Sequence, residues 1–120
     1  MNYDRNNTFA KILRGEIPSK KVYENDYVLS FYDVNPLKKT HVLVIPKGEY
    51  VDLDDFHNKA TEKEIIELNK AITHIVKMLK ISSQEDGYRV LSNIGKNGGQ
   101  EVPHLHYHIF GGEKIGKIVF

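Results

Sequence analysis

The chain has 120 residues, of which 40% are hydrophobic and 28% charged, with a formal net charge of +1 and no cysteine. This length supports one domain with a core of its own. The missing cysteines exclude a disulfide scaffold and thiolate-based zinc fingers, and the near-neutral, evenly spread charge offers no footprint for DNA or RNA, so a small ligand is expected.

The opening MNYDRNNTFA carries no apolar leader, and the longest apolar run, Val42 to Pro46, is too short to cross a bilayer. No membrane partner is expected, and a cytoplasmic location is. Thr8–Leu13 reads as a short helix that stops at Gly15, before the EIPS turn. KVYE and YVLSFYD read as two strands separated by the turn residues Asn25 and Asp26. NPLKK is a turn, and THVLVIP is a β-branched, largely buried strand ended by Pro46. From about Lys59 to Lys80 the period changes. Ile65, Leu68, Ile72, Ile75 and Leu79 recur at helical spacing and predict one long helix, with Thr61 and Glu64 at capping-box spacing. His74, within it, reads as an ordinary surface residue. GYRVLSN is a strand, IGKNGGQ a glycine-rich loop and HLHYHIF the last core strand, while the tail EKIGKIVF offers a further short one. The order predicts an α+β domain with an antiparallel sheet.

HLHYHIF holds three of the six histidines. On a strand, His104, His106 and His108 share one face, while Leu105, Tyr107 and Ile109 point to the core. A row of imidazoles opposite an apolar face predicts a cleft. A zinc site made of all three is disfavoured, because residues i and i+4 on a strand lie about 13 Å apart at roughly 3.3 Å per residue. Two imidazoles so separated do not both reach a metal at about 2.0–2.1 Å. At most two of the row could ligate, with a third ligand from His41 or His57, which nothing in the sequence marks. Catalysis suits the row better. His106 has a neighbour on each side, can attack phosphorus, and His108 can donate to the phosphoryl oxygens. Glycines in the preceding loop let backbone N–H groups approach a phosphate. Phe31 and Asp33, two apart in YVLSFYDV, suit a base and a ribose, although Asp33 before VNP also suits a local turn.

His-φ-His-φ-His-φ-φ, with φ apolar, is the signature of the histidine-triad superfamily, and HLHYHIF resembles it at every position. TFAKILRGEIPSKKVYEND, SFYDVNPLKKTHVLVIPK and VLSNIGKNGGQEVPHLHYHIFGG extend the resemblance to the Hint branch, the nucleoside phosphoramidases. It implies a five-stranded antiparallel sheet with one long and one short helix, dimerising into a continuous sheet. It also implies P–N cleavage of purine nucleoside 5′-phosphoramidates, adenosine's giving AMP, with no metal and no cofactor. His106 aligns with the nucleophile, His108 with a phosphate-contacting histidine and His104 with one that orients the nucleophile. Asp33 aligns with the ribose-binding acid, and Asn93 with an asparagine near phosphate and ribose. Phe9, Ile12, Phe31 and Val34 align with residues around the base, and Gly99 and Glu101 with the phosphate-side loop. Three departures stand out. Glu49 replaces the histidine of P-K-x-H in many relatives, Glu101 replaces a serine found in eukaryotic members, and the tail lacks Trp-Pro-Pro. A dinucleoside polyphosphate hydrolase and a nucleotide-binding interaction module are the alternative functions.

Overall fold

Two of the strands read from the sequence are apolar at nearly every position, and their place in the sheet accounts for it. The structure is a computed structural model that describes residues 2–117. Its elements are α1 (Thr8–Leu13), β1 (Lys21–Glu24), β2 (Val28–Tyr32), β3 (Thr40–Pro46), α2 (Leu53–Lys59), α3 (Glu62–Met78), β4 (Arg89–Leu91) and β5 (Tyr107–Gly111). The five strands form one antiparallel sheet in the order β1-β2-β3-β5-β4. β2 and β3 are inner strands covered on both faces, and such strands read as continuous apolar runs. On one face Val28, Val42, Val44 and Ile109 pack against Leu68, Ile72, Ile75 and Val76 of α3. On the other, Leu29, Phe31, Leu43 and Ile45 pack against Phe9 of α1, with Ile12, Leu13 and Val102 at the margin.

The long helix expected from about Lys59 to Lys80 is α3, Glu62–Met78, and a short helix that the sequence did not announce, α2, precedes it. The two helices are separated by Ala60 and Thr61, which are both extended (φ −71°, ψ 153° and φ −73°, ψ 159°). Ala60 closes α2 with its N–H on the Phe56 carbonyl, and Thr61 caps α3 with the reciprocal pair Glu64 N–H to Thr61 Oγ1 (3.1 Å) and Thr61 N–H to Glu64 Oε1 (3.0 Å). The added short helix, α2, starts at Asp52, whose carboxylate accepts the Asp55 N–H. No strand forms in the described part of the tail, and residues 118–120 lie outside the described residues. No helix is long and apolar enough to cross a membrane among the described residues.

The histidine strand is shorter than the sequence suggests. β5 begins at Tyr107, so His104 and His106 precede the ladder. Pro103 and the turn closed by the His104 N–H on the Val102 carbonyl (2.9 Å) account for the late start. The alternation of faces nevertheless holds, because Leu105, Tyr107 and Ile109 all join the α3-side core.

Thr61→Ala removes the cap of the longest helix and is expected to lower unfolding free energy by about 1 kcal/mol. Urea titration at unchanged m-value measures it.

Candidate active site

Strand register assembles the site. Phe31 pairs with Leu43, Leu43 with His108, and His41 with Phe110. The Asp33 N–H donates to the His41 carbonyl at 3.0 Å, just past the end of β2. Odd positions of β2 and β3 and even positions of β5 therefore share the α1-side face. That face carries Phe31, Asp33, His41, Leu43 and His108, with His106 at the strand's entry.

Hydrogen-bond partners assign the ring protons of four histidines. His106 Nδ1 lies 2.7 Å from the His104 carbonyl. A carbonyl only accepts, so Nδ1 carries the proton and Nε2 keeps its lone pair. The Leu37 N–H donates to His41 Nδ1 (3.1 Å), so the His41 proton is on Nε2, which donates to His108 Nδ1 at 2.9 Å. His108 therefore bears its own proton on Nε2. His104 Nε2–H donates to the Pro46 carbonyl (2.8 Å), and the Tyr3 hydroxyl donates to His104 Nδ1 (2.5 Å).

Burial lowers the pKa of all four rings by disfavouring the charged form. His104 and His108 are pushed down to about 4, in both cases by burial first. His106 is lowered by burial against the opposing pull of the His104 carbonyl, Asp33 and Glu101. His41 is lowered by burial, with Asp33 opposing.

Two of the rings, His106 and His108, border a cleft of about 320 Å³, large enough for a small ligand. Its walls include Phe9, Ile12, Phe31, Asp33, Val34, Glu101, His106 and His108 of the residues expected from the sequence. Thr8, Ile17, Pro18, Ser19, Tyr32, Leu43 and Val102 complete the walls. His104, fully buried, is not a wall residue, and neither are Asn93 and Gly99. Asp33 serves the turn as well as the cleft, since its Oδ1 accepts the Asn35 N–H at 2.8 Å. Glu49 pairs with Arg5 (3.0 Å), and Tyr3 is the residue that bonds the His104 ring.

Asp33, His41 and His108 bring three ligand-type atoms within 4.8 Å of one another. They fit a metal poorly. Binding at His41 Nε2 would move its proton to Nδ1, against the Leu37 N–H that now points there. Asp33 Oδ2, 3.4 Å from His41 Nε2, instead flanks a proton-carrying contact.

Several supporting residues escaped the sequence reading. His41, named from the sequence only as a possible metal ligand, is the residue that donates to His108, and its one signal is a place in THVLVIP that shares its face with Leu43 and Ile45. The Ser92 hydroxyl donates to the His106 carbonyl at 2.7 Å. Gln100 accepts the Gly95 N–H (3.1 Å) and donates to the carbonyls of Val51 (2.7 Å) and Val102 (3.1 Å), which ties the glycine loop to the segment before α2. In that loop Gly98 is obligatory, because a Cβ there would stand 2.3 Å from the Ile94 carbonyl oxygen. Tyr3 reaches its partner across 101 positions, which no local pattern signals.

Fold and site together define a small α+β protein organised around buried histidines on one sheet face. The chain belongs to the HIT family, and the HIT domain matches residues 14–115. It is 53% identical over 117 residues to a HIT-like protein of Azospirillum brasilense, covering 98% of this chain and 94% of that one. It is 38% identical over 112 residues to the purine nucleoside phosphoramidase of Escherichia coli, covering 92% and 91%. Among solved structures, a HIT family hydrolase from Clostridium thermocellum superposes with a TM-score of 0.86 at 37% identity, covering 97% of this chain and 99% of that one. A histidine triad protein from Clostridium difficile gives 0.83 at 42% identity, covering 99% and 100%.

The lowered pKa values have a sign. Between the ordinary histidine value near 6.5 and about 4, the unfolded chain binds protons at His104 and His108 that the folded chain does not. Their contribution to stability is therefore complete above pH 6.5 and is lost as pH falls toward 4. NMR titration should give two imidazoles with midpoints near 4, and midpoints near 6.5 for these two would contradict the assignment.

Proposed function

We propose that this chain is a cytoplasmic, metal-independent hydrolase that cleaves the P–N bond of purine nucleoside 5′-phosphoramidates and releases AMP from the adenosine substrates. One observation carries the reading above the others. His106 and His108 border the same cleft with their Nδ1 atoms engaged inside the protein, which leaves a lone pair on one Nε2 and a proton on the other. That is a nucleophile beside a donor.

In this reading Phe9, Ile12, Phe31 and Val34 hold the base, and Asp33 accepts from the ribose hydroxyls with the lone pairs its turn leaves over. Glu101 borders the phosphate, with Asn93 and Gly99 reaching it from the margin of the cleft. His106 Nε2 bonds to phosphorus, the P–N bond breaks, and the amine leaves with a proton from solvent. His108 Nε2–H donates to a non-bridging oxygen as charge develops there. The nucleotidyl-imidazolium keeps its Nδ1–H on the His104 carbonyl. Water then displaces His106 from phosphorus, its proton passes to solvent, and the nucleotide departs. His104 acts through its backbone and through the ring contacts that orient it.

The relative named as a purine nucleoside phosphoramidase supports this substrate class. A homodimer is part of the proposal. It is supported by β4, a strand at the sheet edge paired on one side with β5 among the described residues. Such an edge can accept a second copy and continue the sheet.

AMP release from an adenosine 5′-phosphoramidate should fall by about a thousandfold or more in His106→Asn. Equal rates in the two proteins would sink the mechanism. Sedimentation equilibrium at micromolar concentration should give twice the chain mass of 13.8 kDa, and a single-chain mass would remove the dimer.

A further inference from the structure

Residues 2–7 form no helix or strand, yet they reach the buried centre of the site. Asp4 turns this segment, its carboxylate accepting the Asn6 N–H (2.9 Å) and its carbonyl the Asn7 N–H (3.2 Å). Arg5 anchors it to the Glu49 carboxylate at 3.0 Å, and the Arg14 guanidinium donates to the Arg5 carbonyl at 2.8 Å. At one end Asn7 caps α1 by accepting the Ala10 N–H (2.9 Å). Two residues further on, Phe9 lies edge-on to His106 with 4.9 Å between ring centroids. At the other end the Tyr3 ring lies edge-on to His104, 5.5 Å between centroids, and its hydroxyl donates to Nδ1. The stretch from Tyr3 to Phe9 thus meets both rings of the pair that the His104 carbonyl joins.

The Pro46 carbonyl takes the Nε2 proton of His104, so the buried Nδ1 needs a donor, and the Tyr3 hydroxyl supplies it. Burial raises the phenol above its ordinary pKa near 10, so the donor persists at neutral pH. With both nitrogens engaged and no place in the cleft wall, the ring holds its own peptide. The His104 carbonyl and the Leu105 N–H belong to one planar unit and point opposite ways. The Tyr50 carbonyl holds that N–H at 2.9 Å, and the carbonyl of the same unit meets His106 Nδ1 at 2.7 Å. None of these bonds belongs to the β5 ladder, which starts only at Tyr107. Without the Tyr3 hydroxyl a buried acceptor is left unsatisfied, and turning the ring toward water relieves it. The peptide then loses one of its holds, and the carbonyl its aim. An imidazole released at Nδ1 favours its proton on Nε2, the nitrogen that must attack.

We propose that Tyr3 is a positioning residue for the nucleophile: its hydroxyl fixes the His104 peptide, whose carbonyl keeps the His106 proton on Nδ1. Tyr3 lines no part of the cleft and touches no substrate, so it acts on the reaction through His104 alone. For its effect on rate the inference rests on the hydrolase reading. For its effect on the His106 tautomer it rests on hydrogen bonding only.

Tyr3→Phe removes one oxygen and keeps the ring edge against His104. Nitrogen NMR of the imidazoles, at about pH 8 where the rings are neutral, reads the tautomer directly. Wild-type His106 should show a protonated Nδ1 and a bare Nε2, and in Tyr3→Phe the Nε2 signal should move toward the protonated range. The single-turnover rate on an adenosine 5′-phosphoramidate should fall by about tenfold, with the Kd for AMP within about twofold of wild type. Unmoved His106 nitrogens in folded Tyr3→Phe overturn the proposal whatever the rate, and so does a wild-type cleavage rate. If Tyr3→Phe does not fold, Arg5→Glu takes its place, setting like charges across the exposed anchor to Glu49. Moved nitrogens with slower cleavage then support the proposal, and wild-type values of either overturn it. No turnover by wild type overturns the hydrolase reading instead, and the ring nitrogens alone then decide the role of Tyr3.

Discussion

A backbone carbonyl, that of His104, takes the Nδ1 proton of His106 at 2.7 Å, and much of the surrounding structure keeps that pair in place. The carbonyl can hold its direction because the residue bearing it cannot turn. Its ring is pinned between the Pro46 carbonyl and the Tyr3 hydroxyl. The next amide, Leu105 N–H, is tied to the Tyr50 carbonyl (2.9 Å), and the His106 carbonyl accepts from Ser92. The group that meets His106 Nδ1 is a carbonyl, which only accepts, so one tautomer of the neutral His106 ring is left. A backbone acceptor is also well suited to the role, because it cannot itself be titrated.

Burial and hydrogen bonding act on these rings in opposite directions. Burial disfavours charge on each imidazole, whereas a carbonyl or carboxylate neighbour favours it. Burial is the larger effect at His104, His106, His108 and His41. Neutral rings in defined tautomers follow, and neutral rings keep lone pairs. The same burial makes the arrangement costly to disturb, since an imidazole stripped of its partner inside the protein leaves a polar atom unsatisfied. His41 shows how far the arrangement extends. It neither borders the cleft nor sits in the histidine row, yet it sets which nitrogen of His108 bears the proton.

Periodicity made the fold legible. The β-branched run THVLVIP announced a largely buried β3, and the 3- and 4-residue spacing of Leu68, Ile72 and Ile75 announced the face of α3. The break at Ala60 and Thr61 was legible only in part. The capping box was visible, but α2 depends on the Asp52 cap and on burial of Phe56, and seven residues give too few turns for a periodic signal. The histidine row was legible as a row and misread in its geometry. Alternation of faces predicted which rings point to the cleft side, while the bend around Pro103 placed His104 beneath the site rather than along one strand. Resemblance supplied Asn93 and Gly99, and the cleft walls do not include them.

By itself the sequence determined which residue types were available and on which face most of them would lie. Pleat and helix pitch are local properties, written in adjacent residues. Tertiary structure decided the protons. Tyr3, Leu37, Pro46 and Ser92 reach the histidines from separate parts of the chain, and each acts through a single atom placed within hydrogen-bond distance. Three of these four contacts involve backbone groups, which are the same in every residue and so leave no mark in a sequence. Whether an imidazole offers a lone pair or a proton depends on those atoms, and only the folded chain brings them together.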